Sequence, residues 1–242
     1  MHTLISNELL KLRTSRAPWI LLAAQLLLVL AAVSGIVISG EDLRNAATTR
    51  LMLAHAGPSF IFVLVLGITA VAGEYRDGTI ADTFLATPRR SRIILAKLIA
   101  YGGAGLVFGL LSTLTALGVT VVSHAVAGAP LDLATTDVWT TMAGTVAFMA
   151  LTCIIGVAIG AIFTNIGASI GVALAWTALI ETTMYSLLGD LGRWLPVLSG
   201  FALQNVPQPK MLPQLTGGLV FAAYALVFAV AALTVTTRRD VS

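Results

Sequence analysis

Charged residues cut the chain into long uncharged runs. Positions 17–40, 51–73, 98–131, 138–180 and 211–237 contain no Asp, Glu, Lys or Arg. Each run is as long as the roughly 20 residues that carry an α-helix across about 30 Å of hydrocarbon. The fourth, continued through Glu181 to residue 188, would reach about 75 Å as one helix at 1.5 Å per residue. It must therefore fold back, and Thr164-Asn165-Ile166-Gly167 is the turn-like break near its middle. The pattern predicts an all-α membrane protein forming one transmembrane domain over residues 1–242. Its six spans fall at about 18–38, 53–73, 98–122, 140–163, 167–188 and 214–236.

Composition agrees. Apolar residues make up 57% of the chain and charged residues 10%, against roughly 25% charged in an average soluble domain. With a mean hydropathy of +0.94, the chain cannot coat a globular surface with charge. That excludes an ordinary soluble enzyme, a disordered segment and a nucleic-acid-binding domain. The formal net charge is only +3, and the placement of the basic residues says more than their surplus. Six passes put both termini on one side of the bilayer. That side holds Lys11, Arg13, Arg16, Arg76, Arg89, Arg90, Arg92, Lys97, Arg238 and Arg239, whereas the other holds only Arg44, Arg50, Arg193 and Lys210. Positive charge favours the inner side, which predicts a multi-pass plasma-membrane protein with both termini and the 74–97 loop in the cytoplasm. The apolar run after Pro18 is too long for the core of a cleaved signal peptide, so it reads as an uncleaved first span.

Three polar or mixed segments stand apart from the spans. Residues 1–16 place Ile5, Leu9 and Leu12 at helical spacing, with Glu8, Lys11 and Arg13 largely elsewhere around the helix. This suits an interfacial helix with its apolar stripe in the lipid. The 74–97 loop is the densest in polar chemistry. Within it Ile80 and Phe84 form an i, i+4 apolar pair on a short amphipathic helix over about 77–86, stopped by Thr87-Pro88. Residues 189–213 are too proline-broken to span, and they read as an interfacial or re-entrant hairpin.

Within the spans, glycines recur four apart at Gly105 and Gly109, Gly156 and Gly160, and Gly167 and Gly171. Such pairs let helix backbones approach closely, within one subunit or between two. Glu181 is the one carboxylate near the interior of a span. A charge there is costly unless paired, wetted or protonated. Two readings stand: a group of the transport pathway or gate, and a structural acceptor for neighbouring helix ends. Catalysis has no foothold, because the chain lacks the phosphate-binding loop of P-loop ATPases, any metal-spaced Cys or His set and any nucleophile elbow. Cys153 is the sole cysteine and excludes an intrachain disulfide.

The stretch Asn7-Glu8-Leu9-Leu10-Lys11-Leu12-Arg13-Thr14-Ser15-Arg16 resembles the opening of the membrane subunits of ABC-2 type transporters. So does Gly73-Glu74-Tyr75-Arg76-Asp77-Gly78-Thr79-Ile80, followed by Phe84, Pro88, Arg89 and Arg90. The resemblance implies a permease with no motor of its own. Two identical or homologous copies would form the pathway through the bilayer, and ATP and Mg would be bound by a separate cytoplasmic ABC ATPase. This chain itself would hold no cofactor. The loop from Glu74, Tyr75, Arg76, Asp77, Gly78 and Thr79 through Ile80 and Phe84 to Pro88, Arg89 and Arg90 would supply the helix that docks on that ATPase. The interfacial helix with Glu8, Lys11 and Arg13 would complete the contact, the outer hairpin would help close the exit, and Glu181, late in the fifth span, is also similar to members of this size. The implied cargo is an exported drug, antibiotic, peptide or lipid-like molecule. An immunity or adaptor protein without transport shares the topology, and a channel or ion-coupled carrier is disfavoured by the near absence of intramembrane charge.

Overall fold

The structure is a computed structural model and describes residues 1–86, 89–208 and 210–238. Among these residues it is helical with no strand, and six helical stretches are long and apolar enough to cross a membrane. A short helix α1 (His2–Thr14) precedes the first span, α2 (Arg16–Ile38). The second span is broken. A short α3 (Ala46–Ala54) and a 3-10 turn (Gly57–Ser59) lead into α4 (Phe60–Arg76). Next come α5 (Ile80–Ala86) and the third span α6 (Arg90–Ala127). At 38 residues, α6 runs to about 57 Å at 1.5 Å per residue, so it projects well beyond a 30 Å apolar slab.

The fourth span α7 (Thr136–Phe163) ends where the sequence places the break. Thr164 takes up a left-handed conformation, and the Asn165 side chain accepts the Ala168 N–H at 2.9 Å to start the next helix. The fifth span is built in two pieces, α8 (Ile166–Ala175) and α9 (Glu181–Leu188), joined by a π-helical turn over Trp176–Ile180. A 3-10 segment (Gly189–Trp194) and α10 (Pro196–Leu203) form the hairpin before the last span, α11 (Gln214–Arg238).

The second and fourth spans form the centre of the bundle, and the first, fifth and sixth are mostly exposed. Glycines set the close approaches at the centre. A Cβ on Gly156 or Gly160 would collide with the carbonyl oxygens of Leu64 and Ile68, so α7 lies directly against the α4 backbone. Gly105 and Gly109 do the same for α6 against α7. Gly171 meets nothing and Gly167 only its neighbour Asn165, so the third pair packs no helix within the subunit.

Candidate coupling site

One end of the bundle carries α1, the α4–α6 elbow and the last turns of α11. Here the helices bring four charges together that lie far apart in sequence. Lys97 is 0% exposed, and its three ammonium protons meet three acceptors: Glu8 Oε2 at 2.9 Å, the Ala70 carbonyl at 2.9 Å and Glu74 Oε1 at 2.6 Å. Lys11 bridges the same carboxylates from the rim, at 2.8 Å to Glu8 Oε1 and 2.6 Å to Glu74 Oε1. Two cations balance two anions. Glu8 belongs to α1, Glu74 to α4 and Lys97 to α6, so the quartet ties three elements into one unit. Such a buried set holds only while every member has its partners. Partial burial pulls the Lys11 pKa down, but the hydrogen bonds and charges of Glu74 and Glu8 outweigh it and leave the pKa raised above 10.5.

Helical spacing sets the face of α1 that makes this contact. Ile5, Glu8 and Leu12 lie on one side, and Ile5 and Leu12 pack against the bundle core with Glu8 buried between them. The expectation of an apolar stripe directed into lipid is corrected on this point. Ile5 and Leu12 of the stripe turn inward beside Glu8, which pairs with Lys97, while its third member Leu9, and Leu10, remain exposed. Arg13 is exposed as well.

The elbow begins at Asp77, after the last residue of α4. Gly78 has a φ of +71°, a backbone state a glycine adopts without strain. The Asp77 carboxylate takes a two-pronged ion pair from Arg76 at 2.8 and 3.2 Å, and that hydrogen bonding holds its pKa below the usual range. Ile80 and Phe84 point back into the bundle, packing with Ile93 and Tyr75. The Arg90 guanidinium covers the Phe84 ring at 5.0 Å from its centroid. The outward face of the elbow is made by Arg76, Asp77, Gly78, Thr79, Ala81, Asp82 and Leu85, with Arg89 exposed beyond it. Leu85 is 83% exposed. The expected docking residues thus fall into two sets: Glu74, Tyr75, Ile80 and Phe84 face the bundle, with Arg90 over the Phe84 ring, whereas Arg76, Asp77, Gly78, Thr79 and Arg89 are exposed. Pro88, with the helix stop assigned to Thr87-Pro88, lies outside the described residues.

Glu181 lies toward the opposite end and is 3% exposed. Its Oε1 accepts the Leu198 N–H at 3.0 Å, and its Oε2 accepts the Trp176 indole N–H at 3.1 Å. Leu198 is in the first turn of α10, whose own N-cap, Leu195, has no side chain able to accept a hydrogen bond. A carboxylate from the fifth span therefore caps the hairpin helix, where the free N–H groups and the helix dipole favour negative charge. Next to it four aromatic rings meet. Phe148 packs against Phe60, Phe201 and Phe221 at centroid distances of 5.7, 6.2 and 5.0 Å. Sequence reasoning missed Lys97 as a site residue, taking it as one more topological charge. It also missed Trp176. The available signal was a lysine near the start of the third span together with one acidic residue on each of two other helices at the same end of the bundle, Glu8 and Glu74.

Fold and site together define a multi-pass helical membrane protein with a charged elbow locked to its amino-terminal helix. The chain belongs to the ABC-2 family of transporter proteins, whose profile (ABC-2 family transporter protein) matches residues 4–180. The match takes in α1, the elbow and the first four spans, and it ends one residue before Glu181. A comparison with curated proteins found no match. Membership makes the chain a permease of an ABC transporter, distinct from the ATPase, and implies an ABC ATPase partner.

Proposed function

We propose that the protein is the membrane permease of an ABC exporter. Two copies, or one copy and a homologue, form its pathway, and its ATPase docks on the outward face of the α4–α6 elbow. The surplus of basic residues at the elbow end supports a cytoplasmic side for that end and for both termini. The cargo is a drug, antibiotic, peptide or lipid-like molecule.

The observation that carries this reading is the quartet of Glu8, Lys11, Glu74 and Lys97, built on the buried Lys97. An elbow that receives a push must transmit it rather than bend. Here α5 is seated on the bundle by Ile80 and Phe84, and α4 and α6 are tied together directly above it through Glu74 and Lys97. A displacement of α5 then tilts both spans and draws α1 with them. Arg76, Asp77, Asp82 and Leu85 remain free to face a partner.

Co-purification tests the reading. The wild-type permease retains its ATPase through affinity purification in mild detergent, whereas Asp82→Lys combined with Leu85→Asp loses it with the melting temperature unchanged. An ATPase that stays bound to this variant would remove the elbow from the interface.

A further inference from the structure

The bend between α1 and α2 carries charge that the fold leaves uncompensated. Residues 1–16 contain a single acid, Glu8, which is buried and bound to Lys97 and Lys11. Turning Glu8 inward therefore leaves the outer face of α1 without an anion. Arg13, in the last turn of α1, and Arg16, the first residue of α2, are both exposed. Among the described residues neither guanidinium enters an ion pair or a hydrogen bond. By contrast, Arg76 is held by Asp77 and Arg50 by Asp137.

An aromatic side chain links the two arginines. Trp19 and Ile20 follow Arg16 at the three- and four-residue spacing that puts them on one face of α2. The Trp19 indole N–H reaches back across the bend to the Arg13 carbonyl at 3.3 Å. Trp19 and Ile20 are 59% and 64% exposed, and the same face continues along the span as the exposed Ala23 and Leu27. From Arg16 to Leu27 the helix rises about 16 Å at 1.5 Å per residue. That is close to one leaflet's half of a roughly 30 Å apolar slab. Leu9 and Leu10 add exposed apolar surface from α1.

Charge and shape select the same occupant. Two free guanidiniums beside an indole suit a phosphate at headgroup level, where Trp is favoured and Arg can take two phosphate oxygens. An apolar face one leaflet deep beneath them suits acyl chains. A free phosphate has no use for that face, and a soluble domain does not reach it inside the bilayer. We propose that the α1–α2 bend binds an anionic phospholipid, with its headgroup on Arg13 and Arg16 and its chains along the 19–27 face of α2. The site requires only that α2 spans a bilayer, so it stands apart from the export reading.

A bimane fluorophore on Ala23→Cys reads the lipid at this face, since the native Cys153 is buried. The full-length chain is reconstituted in phosphatidylcholine vesicles doped with chain-brominated phosphatidylglycerol or chain-brominated phosphatidylcholine, and the quenching is compared. The expected result is a preference for phosphatidylglycerol of roughly fivefold for each arginine, shrinking in high salt. Arg13→Gln with Arg16→Gln abolishes it, and Arg13→Lys with Arg16→Lys retains most of it. Arg238→Gln, a charge lost at the same end of the bundle, leaves it unchanged. Equal quenching by the two lipids overturns the site. Bimane shielded from both lipids overturns it too, because a second copy of the protein then covers the face. A double glutamine variant that keeps the preference but loses the ATPase in mild detergent assigns the arginines to the motor contact instead.

Discussion

Replacing Lys97 with Met keeps the length and apolar stem of the side chain and removes only its charge. The quartet then changes from neutral to a net negative charge, with Glu8 and Glu74 sharing the half-exposed Lys11 alone. Breaking a buried ion pair on one side costs about 3–5 kcal/mol. At roughly 2–4 °C per kcal/mol for a chain of this size, the melting temperature falls by on the order of 10 °C. The double variant Glu8→Gln with Lys97→Met restores neutrality, leaving Lys11 paired with Glu74. Its loss is therefore smaller than the sum of the two single losses by about 1–3 kcal/mol. The assay is thermal unfolding in nanodiscs followed by helical circular dichroism, on wild type, both singles and the double. Two results refute the reasoning. Lys97→Met could melt with the wild type, or the double could lose the full sum of the singles. Either would mean that the charges do not form one interacting unit.

The remaining predictions concern other joints of the same framework. Lys11 has a pKa raised in the folded state, so its contribution to stability is complete below 10.5 and is lost as pH rises through the folded value. Alkaline titration should release α1 from the bundle, seen as faster amide exchange over Ile5–Leu12, and Lys11→Arg should move that release to higher pH. Gly156→Val drives a side chain into the Leu64 carbonyl and should cost about 1–3 kcal/mol through separation of α4 and α7, whereas Gly171→Ala, which meets nothing, should be neutral or better. Glu181→Ala leaves the α10 N-terminus uncapped and should destabilise the hairpin by about 0.5–2 kcal/mol. Limited proteolysis at 189–213 reads this out, with Trp176→Phe giving a smaller effect in the same direction.

The spans were legible because the bilayer imposes a simple code: some 20 uncharged apolar residues between charged ends. The break at Thr164 and Asn165 was legible for a related reason. The Asn165 side chain can satisfy a helix start, and Thr164 there ends one. What lay beyond reach depended on register between distant helices. Lys97 and Arg92 look alike in sequence, yet only Lys97 falls where Glu8, 89 residues away, and Glu74 converge. Turning Glu8 toward that point also turned Ile5 and Leu12 inward, which an apolar stripe alone cannot reveal. The π-helical turn at Trp176–Ile180 carries no Gly or Pro to mark it. Of the two readings left open for Glu181, the hydrogen bond to Leu198 supports the structural one, through a contact that only the returning hairpin creates. The short helix expected over about 77–86 runs over Ile80–Ala86, and the inward orientation of Phe84 and Ile80 required the position of Ile93 on α6.

Docking of the elbow on the ATPase at the cytoplasmic surface can be read from a single thiol. Leu85→Cys places a reactive thiol on its outward face, against a background in which the one native cysteine, Cys153, is buried. The measurement is labelling of that thiol by a membrane-impermeant maleimide in inverted vesicles, before and after the ATPase is stripped from them. Little labelling is expected with the ATPase in place and strong labelling once it is removed. Equal labelling in both states, or labelling only when the reagent is added to intact cells, would contradict it.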